Sequence, residues 1–242
     1  MATPTAVTIN RSFYTRFAVC AFLIVFAGFA HTYYLRFAFA TKGLPLLLQA
    51  HGFLFTAWFV LLFVQARLVA RHRVDLHRKL GLVGAILAPL CACVAIGVSF
   101  TAGRRAFLRD PTSVIHSQGA AAMDYGTSLM FLALVATALY LRRRPEYHKR
   151  IIVLATCSLL LPAIGRIPLS DAVLFDAVGF WGLVAITEVP PLTCILYDTI
   201  KHRRLHPAFG WGGAVLLASF PAFLLFGASD SWRKSLTWLL SG

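Results

Sequence analysis

Five long apolar runs each carry one ionisable residue at a similar depth. Counted from the cation that ends each run on the predicted cytoplasmic side, these residues lie 13 to 18 positions into the run. At about 1.5 Å per helical residue they form a layer roughly 20 to 27 Å above that boundary. A charge there costs at least about 2.5 to 3.5 kcal/mol unless it is paired, so we expect the side chains to face one another or water rather than lipid. The five residues are His31, His51, Asp124, Arg166 and Glu188.

Two histidines and two carboxylates form a suitable ligand set for zinc, iron, manganese or copper. We predict metal ligands at His31, His51, Asp124 and Glu188, with Arg166 balancing the charge. The same layer could instead hold a proton or a small ligand. It could also be a closed network that only orients the helices.

A second pair of histidines occurs in two similar stretches, "VDLHRKLG" and "PEYHKRII". We call this similarity the sequence echo. His77 and His148 stand at equal depth at two cytoplasmic turns, and neutral imidazole is a common metal and haem ligand. The alternative is interfacial: Asp75 and Glu146 stabilise helix starts, while the adjacent cations stay at the headgroup level. A duplicated two-helix hairpin would produce the echo.

Seven apolar runs must position these residues. The chain is 59% hydrophobic and 13% charged, with a mean hydropathy of +0.74. Each run is close to the roughly 20 residues that cross a bilayer core. We predict an all-α, seven-helix transmembrane bundle in which residues 1–242 form a single domain. The runs are Phe17 to Phe39, Leu44 to Ala66, Leu80 to Phe100, Ala120 to Leu141, Ile151 to Leu169, Val173 to Leu196 and Trp211 to Phe226.

The net charge of +14 is explained by cations concentrated in alternate loops, so nucleic acid is not expected as a partner. Fifteen lysines and arginines fall on one side of the predicted bundle and eight on the other. The positive-inside rule puts the amino terminus in the cytoplasm and the carboxyl terminus in the periplasm of a bacterial inner membrane. We expect anionic lipids at the cytoplasmic loops, and a homo-oligomer or a membrane complex fits this class. The eight outer cations are Arg36, Lys42, Arg104, Arg105, Arg109, Arg166, Arg233 and Lys234.

Three further features concern cysteines, a loop and the carboxyl-terminal tail. All five cysteines fall inside apolar runs and indicate no disulfide framework; Cys91 and Cys93 should point in different directions. The stretch Thr101 to Gly119 is predicted to be the longest connection, with Asp110 and Pro111 as the cap and first turn of a fourth helix that starts outside the membrane. The tail "SDSWRKSLTWLL" predicts an amphipathic helix on the outer surface.

With these motifs placed at cytoplasmic turns, the chain resembles a family of bacterial membrane proteins of uncharacterised function. The resemblance covers most of the sequence and brings no activity with it. It is carried by "GFAHTYYLRF", "AHGFLFTAWFVLLFVQARLVA", "LHRKLGLVGA", "RRRPEYHKRIIVLATCSLLLPAIGR" and "YDTIKHRRLHPAFGWGG".

The chain is also distantly similar to cytochrome b561-like proteins, in which histidines on four consecutive helices hold two b haems. His51, His77 and His148 fall on helices two, three and five, as that pattern requires. Helix four departs from it, because His116 lies 26 residues from Arg142 and is roughly 15 Å too high. His31 with His51 is the substitute outer pair.

These residues support three alternative hypotheses for the function of the protein. The leading hypothesis is a redox or electron-transfer protein that binds a metal ion or b haem through His31, His51, His77 and His148. The alternative is a proton-coupled transporter or small-ligand binder that uses Asp124, Glu188 and Arg166. The third is a structural or assembly subunit. No HExxH, Walker, Gly-x-Ser-x-Gly or GxGxxG motif is present, so the sequence assigns no enzymatic reaction.

Overall fold

The computed structural model describes residues 4–39, 43–169 and 172–242, apart from the side chains of residues 4–11, 39, 116, 169, 172, 175 and 180. Lys42 and the side chains of Arg11 and His116, which entered the sequence predictions, lie outside the described residues. The all-α prediction is confirmed, because every regular element in the described ranges is helical except one short strand pair.

The helices are α1 (Pro4–Phe29), α2 (Arg36–Phe39), α3 (Leu46–Ala70), α4 (Val74–Arg109), α5 (Ser113–Tyr140), α6 (Pro145–Cys157), α7 (Leu161–Gly165), α8 (Leu174–Thr187), α9 (Val189–His202), α10 (Pro207–Gly227) and α11 (Asp230–Ser241). A π-helical turn, Ala30–Tyr34, follows α1. The antiparallel strands β1 (Pro168–Leu169) and β2 (Ala172–Val173) pair Pro168 with Val173.

Seven segments of the described chain are long and apolar enough to cross a membrane, as predicted. Long apolar stretches form helices in a bilayer because every backbone N–H and C=O must find a partner within the segment. The spans are Ser12–Tyr34, Leu46–Ala70, Val74–Arg109, Ser117–Tyr140, Pro145–Gly165, Trp181–His202 and Pro207–Gly227.

The prediction that Thr101 to Gly119 is a long connection is wrong, because α4 continues to Arg109, whereas the expected early start of the next helix agrees with α5, which begins at Ser113. Only three residues separate these helices, and the Asp110 carboxylate accepts the Thr112 N–H at 2.9 Å. Falling hydropathy marked the end of the apolar run, but polar residues continue a helix without difficulty beyond the membrane.

The fifth and sixth spans are each interrupted. α6 ends at Cys157 and α7 starts at Leu161 with a proline in its first turn, while α8 ends at Thr187 and α9 starts at Val189. The two copies of the sequence echo therefore continue differently, since Pro89 lies inside the unbroken α4 and Pro162 opens the short α7. The hairpin duplication stays a prediction.

Backbone contacts divide the chain into two units. Unit 1 contains Met1–Leu90 and Leu160–Thr187, and unit 2 contains Cys91–Leu159 and Glu188–Gly242. In unit 1, α1 packs against α3 and α7, and α7 packs against α8. In unit 2, α5 packs against α6, α10 and α11, and α6 also packs against α9 and α10. The single-domain interpretation stays a prediction.

Candidate functional site

Unit 1 holds three of the five predicted layer residues. His31 lies in the π-helical turn and is exposed. His51 is half-buried on α3, with its ring centroid 4.4 Å from that of Phe55. The Nδ1 atom of His51 is buried and has no hydrogen-bond partner among the described residues. Arg166 is exposed just beyond α7, where its Nη1 donates to the Pro162 carbonyl at 2.8 Å.

Arg166 also has two neighbours in unit 1. Its guanidinium carbon lies 5.3 Å from the centre of the Phe29 ring, and its charge acts on the His51 imidazole. His51 and Arg166 are therefore close enough to interact. The buried Nδ1 of His51 thus offers one unused hydrogen-bonding position beside a cation.

Unit 2 holds the two carboxylates of the layer. Asp124 is exposed on α5 and accepts a hydrogen bond from the Ser99 hydroxyl at 2.9 Å. Glu188 lies between α8 and α9 as the N-cap residue of α9, but its side chain does not cap the helix. Both of its carboxylate oxygens are buried and have no hydrogen-bond partner in the part of the chain that the structure describes.

The five layer residues are predicted to face one another or water rather than lipid. His31, Asp124 and Arg166 are exposed and His51 and Glu188 are half-buried, so the convergence of all five stays a prediction. Counting along a helix predicts the height of a residue but not the direction in which it points. Successive helical residues differ by about 100° in direction, so an error of one residue turns a side chain from the interior towards lipid. The π-helical turn at His31 further changes the directions in which the side chains of this segment point.

The predicted metal site gains no support from the geometry. Among the described residues there is no group of three or more histidine, cysteine, aspartate or glutamate side chains that could hold a metal ion. The ligand set His31, His51, Asp124 and Glu188 is also split between the two units. It therefore stays a prediction.

The two turn histidines have different surroundings. The Nδ1–H of His148 donates to the Ala138 carbonyl at 2.8 Å, which leaves Nε2 as the ring's acceptor. Haem and metal ligands commonly show this arrangement, because the backbone bond fixes the tautomer and the ring direction. At His77 the side-chain amide of Gln65 donates to the backbone carbonyl at 3.1 Å.

A buried ion pair that the sequence analysis missed joins α6 to α9. Arg150 is 1% exposed and Asp198 is 2% exposed. The Arg150 guanidinium donates to Asp198 through Nε at 2.9 Å and through Nη2 at 2.7 Å. Its Nη1 donates to the Glu146 carbonyl at 2.9 Å and pairs with the Glu146 carboxylate. Arg150 therefore pairs within the protein, and its predicted height at the headgroup level stays a prediction.

This network extends to two histidines near the end of α9. The Nδ1–H of His202 donates to the Asp198 carbonyl at 2.8 Å. His206 caps α10, since its Nδ1 accepts the Ala208 N–H at 3.1 Å. The rings of His206 and Tyr147 meet edge to face with centroids 4.8 Å apart. The motif "PEYHKR" is thus largely explained by contacts that join α6, α9 and α10.

His206 is the member of this network that lies outside the membrane spans. Partial burial lowers the pKa of its ring below the ordinary value of 6.5, and the positive charges of Arg150 and Arg204 lower it further. Asp198 and Glu146 oppose the shift. Since Nδ1 is the acceptor of the cap, the neutral ring is the form that fits this position.

One signal in the sequence could have found the ion pair. Asp198 stands three residues before Lys201 and two residues beyond the predicted run that ends at Leu196, and an ionisable side chain so close to a span is expected to have a partner. Arg150 ends the neighbouring span at a similar depth. A cation at the end of the adjacent span is the natural partner for this acid.

Glu188 has two thiols near it in unit 2. Cys157 ends α6 and Cys194 lies in α9, and both are buried. Their thiols are hydrogen-bonded to each other, and the Glu188 carboxylate interacts electrostatically with Cys157. All five cysteines are free thiols. Cys91 is buried and Cys93 exposed, so the predicted divergence of these two side chains is confirmed.

No protein-family model, curated protein or solved structure gives a significant match to this chain. Its function therefore has to be inferred from its own residues and their arrangement.

Proposed function

We propose that this chain is a multi-pass protein of a bacterial inner membrane that binds a small ligand within the membrane and couples binding to proton uptake at Glu188. The amino terminus lies in the cytoplasm and the carboxyl terminus in the periplasm. The orientation rests on the fifteen cations on one side against eight on the other.

The observation that carries the proposal is the Glu188 side chain, whose two buried oxygens have no partner among the described residues. A membrane-embedded charge normally pairs with another group or faces a water-filled cavity, because it otherwise costs at least about 2.5 to 3.5 kcal/mol. Polar groups that bear this cost usually mark an ion, proton or substrate pathway. A carboxyl group can avoid it by taking up a proton.

The backbone around Glu188 supports the same function. The backbone hydrogen bonding of the sixth span is interrupted here because Pro190 and Pro191, in the first turn of α9, have no N–H, while Glu188 itself keeps helical backbone angles (φ −79°, ψ −15°). Carbonyl groups freed in this way inside a membrane span need other partners, which a bound ligand or water in a cavity can supply. The fifth span breaks next to Cys157, which lies close to Glu188.

Labelling with dicyclohexylcarbodiimide tests the protonation step, because this reagent modifies carboxylic acids in apolar surroundings. We expect Glu188 of the detergent-purified protein to be modified, with a yield that falls as pH rises. Glu146 provides the matched control: it is more exposed but is paired with Lys149 and Arg150, so it should remain unmodified. Peptide mass spectrometry identifies the modified residue. Failure to modify Glu188 between pH 5 and 8 would reject the proposal.

Ligand binding is tested by screening small organic anions, cations and sugars for thermal stabilisation of the purified protein. A ligand that stabilises the wild type should bind at least tenfold more weakly to Glu188→Gln, and proton uptake on binding should disappear. Glu146→Gln should leave both quantities unchanged. Equal binding by wild type and Glu188→Gln would contradict the role of this carboxyl group.

A second candidate is the redox or electron-transfer function, and the His148 hydrogen bond favours it. A b haem bound there would supply one-electron transfer. The fit is partial: His148 presents Nε2 as an acceptor and His51 has an unused buried Nδ1, but the two residues belong to different units. Visible spectra of oxidised and dithionite-reduced protein, with elemental analysis, test this function. Haem or stoichiometric metal that is lost in His51→Ala or His148→Ala would favour it over the proton-coupled binder.

The third candidate is a structural or assembly subunit. It predicts that a triple variant with leucine at Asp124, Arg166 and Glu188 keeps both its fold and every partner of the wild type. The proton-coupled binder predicts that the triple variant folds but binds no ligand. Thermal unfolding and the ligand screen on the same preparation distinguish the two outcomes.

A further inference from the structure

A groove opens between the start of α5 and the last helix, α11, in unit 2. Its volume is about 560 Å³, which is within the range of small-molecule sites. The groove is separate from Glu188 and from the Arg150 network, since it shares no lining residue with either. It is lined by Pro111, Thr112, Val114, Ile115, Arg233, Lys234, Thr237, Trp238 and Ser241.

Both walls of the groove are held in place by packing of α11 on α5. Leu236 and Leu240 are buried against Val114 in an apolar cluster. Trp232 packs on this cluster, and its indole N–H donates to the Gln118 carbonyl at 2.8 Å. The predicted amphipathic helix is therefore confirmed as a helix. A fixed wall gives the groove a defined shape before any ligand enters.

The groove is apolar on one side and cationic at its rim. Val114, Ile115 and Trp238 supply the apolar surface, and Trp238 is 76% exposed. Arg233 pairs with Asp230 at 2.6 Å, whereas Lys234 has no ion pair among the described residues. A ligand that fits must therefore combine an apolar body with a negative charge.

The hydroxyl groups of the lining are already engaged. Thr237 donates to the Arg233 carbonyl at 2.8 Å, and Ser241 donates to the Trp238 carbonyl at 2.9 Å. Thr112 donates to the Asp110 carboxylate. The uncommitted donors at the rim are consequently the ammonium of Lys234 and the remaining N–H groups of Arg233. These favour a compact anion such as a phosphate ester.

We propose that this groove binds an anionic phospholipid of the surrounding leaflet, with its phosphate at Lys234 and Arg233 and its glycerol and upper acyl chains against Ile115 and Trp238. The place of the groove in the chain supports this occupant. Its lining residues lie just beyond the last span, which ends at Gly227, and just before the fourth, which begins at Ser117. The groove therefore lies next to two span ends, at the height of the lipid headgroups. Exposed tryptophan and basic side chains are typical of that level.

Quenching of tryptophan fluorescence by brominated lipids tests the site. The protein is placed in phosphatidylcholine nanodiscs with increasing fractions of dibrominated phosphatidylglycerol or, separately, dibrominated phosphatidylcholine. Subtracting the signal of Trp238→Phe isolates Trp238 from the other four tryptophans. We expect the Trp238 signal to be half-quenched at a several-fold lower fraction of the anionic lipid than of the neutral one.

The cation at the rim is tested with a matched pair of variants. Lys234→Gln should bring the two quenching curves together, because it removes the charge that selects the phosphate. Arg36→Gln removes a cation from the same predicted membrane side outside the groove and should leave the preference unchanged. Identical curves for both lipids in the wild type, or an unaltered preference in Lys234→Gln, would overturn the proposal.

A final arm separates a lipid headgroup from free phosphate. Inorganic phosphate at tens of millimolar should not reverse the quenching, whereas sodium chloride at the same ionic strength serves as the control. Reversal by phosphate alone would show that the rim takes a soluble anion, and the lipid assignment would fall. Both lipid arms remain interpretable if Trp238→Phe lowers stability, because that variant serves only for subtraction.

Discussion

Replacing Asp198 by asparagine would leave the buried Arg150 without its main counter-charge. The wild-type carboxylate accepts two hydrogen bonds from the guanidinium, at 2.9 and 2.7 Å. Asparagine keeps one acceptor and turns an NH₂ group towards the other N–H donor. The change therefore removes a charge and a hydrogen bond with little change in volume.

The expected cost follows from the burial of the pair. Removing one partner of a buried ion pair costs about 3 to 5 kcal/mol, because the remaining charge stays buried. Glu146 still contacts Nη1 of Arg150, but its side chain is 54% exposed and gives partial compensation. We expect a loss of about 3 kcal/mol in the free energy of unfolding, towards the lower end of that range.

Unfolding in mixed dodecylmaltoside and dodecylsulfate micelles, followed by far-ultraviolet circular dichroism, measures this loss. Reaction of the buried Cys157 and Cys194 with a fluorogenic maleimide gives a second readout close to the pair. Asp75→Asn is the matched control, since Asp75 pairs with Arg73 at 3.5 Å on the surface. Exposed pairs of this kind contribute less than about 1 kcal/mol.

A charge-free replacement separates pairing from packing. Arg150→Met combined with Asp198→Leu should recover most of the lost stability, because apolar side chains of similar volume can replace a buried pair at little cost. The reasoning is refuted if Asp198→Asn loses no more free energy of unfolding than Asp75→Asn. It is also refuted if the double variant is as unstable as Asp198→Asn alone.

Two further predictions follow from the fold. Because the pKa of His206 is lowered, its neutral ring contributes stability that is complete above about pH 6.5 and is lost as pH falls through the lowered value. His206→Asn should keep the helix cap and remove most of the change in melting temperature between pH 5 and 7. The same pH dependence in this variant as in the wild type would disprove the role of His206. A side chain on Gly28 would overlap the Ala163 carbonyl, so Gly28→Ala should destabilise the protein by about 1 to 3 kcal/mol in the same micelle assay. Gly43→Ala, where a Cβ meets no atom within 4 Å, should change stability by less than about 0.5 kcal/mol, and equal effects of the two alanines would contradict the packing of α1 on α7.

Helix breaks were harder to predict than helix positions. Pro162 and the pair Pro190–Pro191 indicate where a helix can restart, but Pro89 has the same chemistry and lies inside the unbroken α4. A proline removes one hydrogen bond and strains the preceding turn, and the packing around it decides between a kink and a break. Local sequence therefore left the interruption at Glu188 undetermined.

The sequence by itself determined the class of this protein and its seven spans. Membrane thickness and the cost of burying charge act on each segment separately. The hydropathy summed over about 20 residues is therefore enough to locate a span. The same reasoning identified Glu188 as an ionisable group at membrane depth. It also found the amphipathic helix α11, whose pattern lies within twelve residues.

Only the tertiary structure decided which of these residues meet. Arg150 and Asp198 are 48 positions apart, and their pairing depends on how α6 and α9 are rotated about their own axes. A rotation by one residue, about 100°, would turn either side chain away from the other without changing the hydropathy of its span. The hydropathy summed along a span is unaffected by such a rotation. The burial of side chains, their pairing and the groove beside α11 all depend on it.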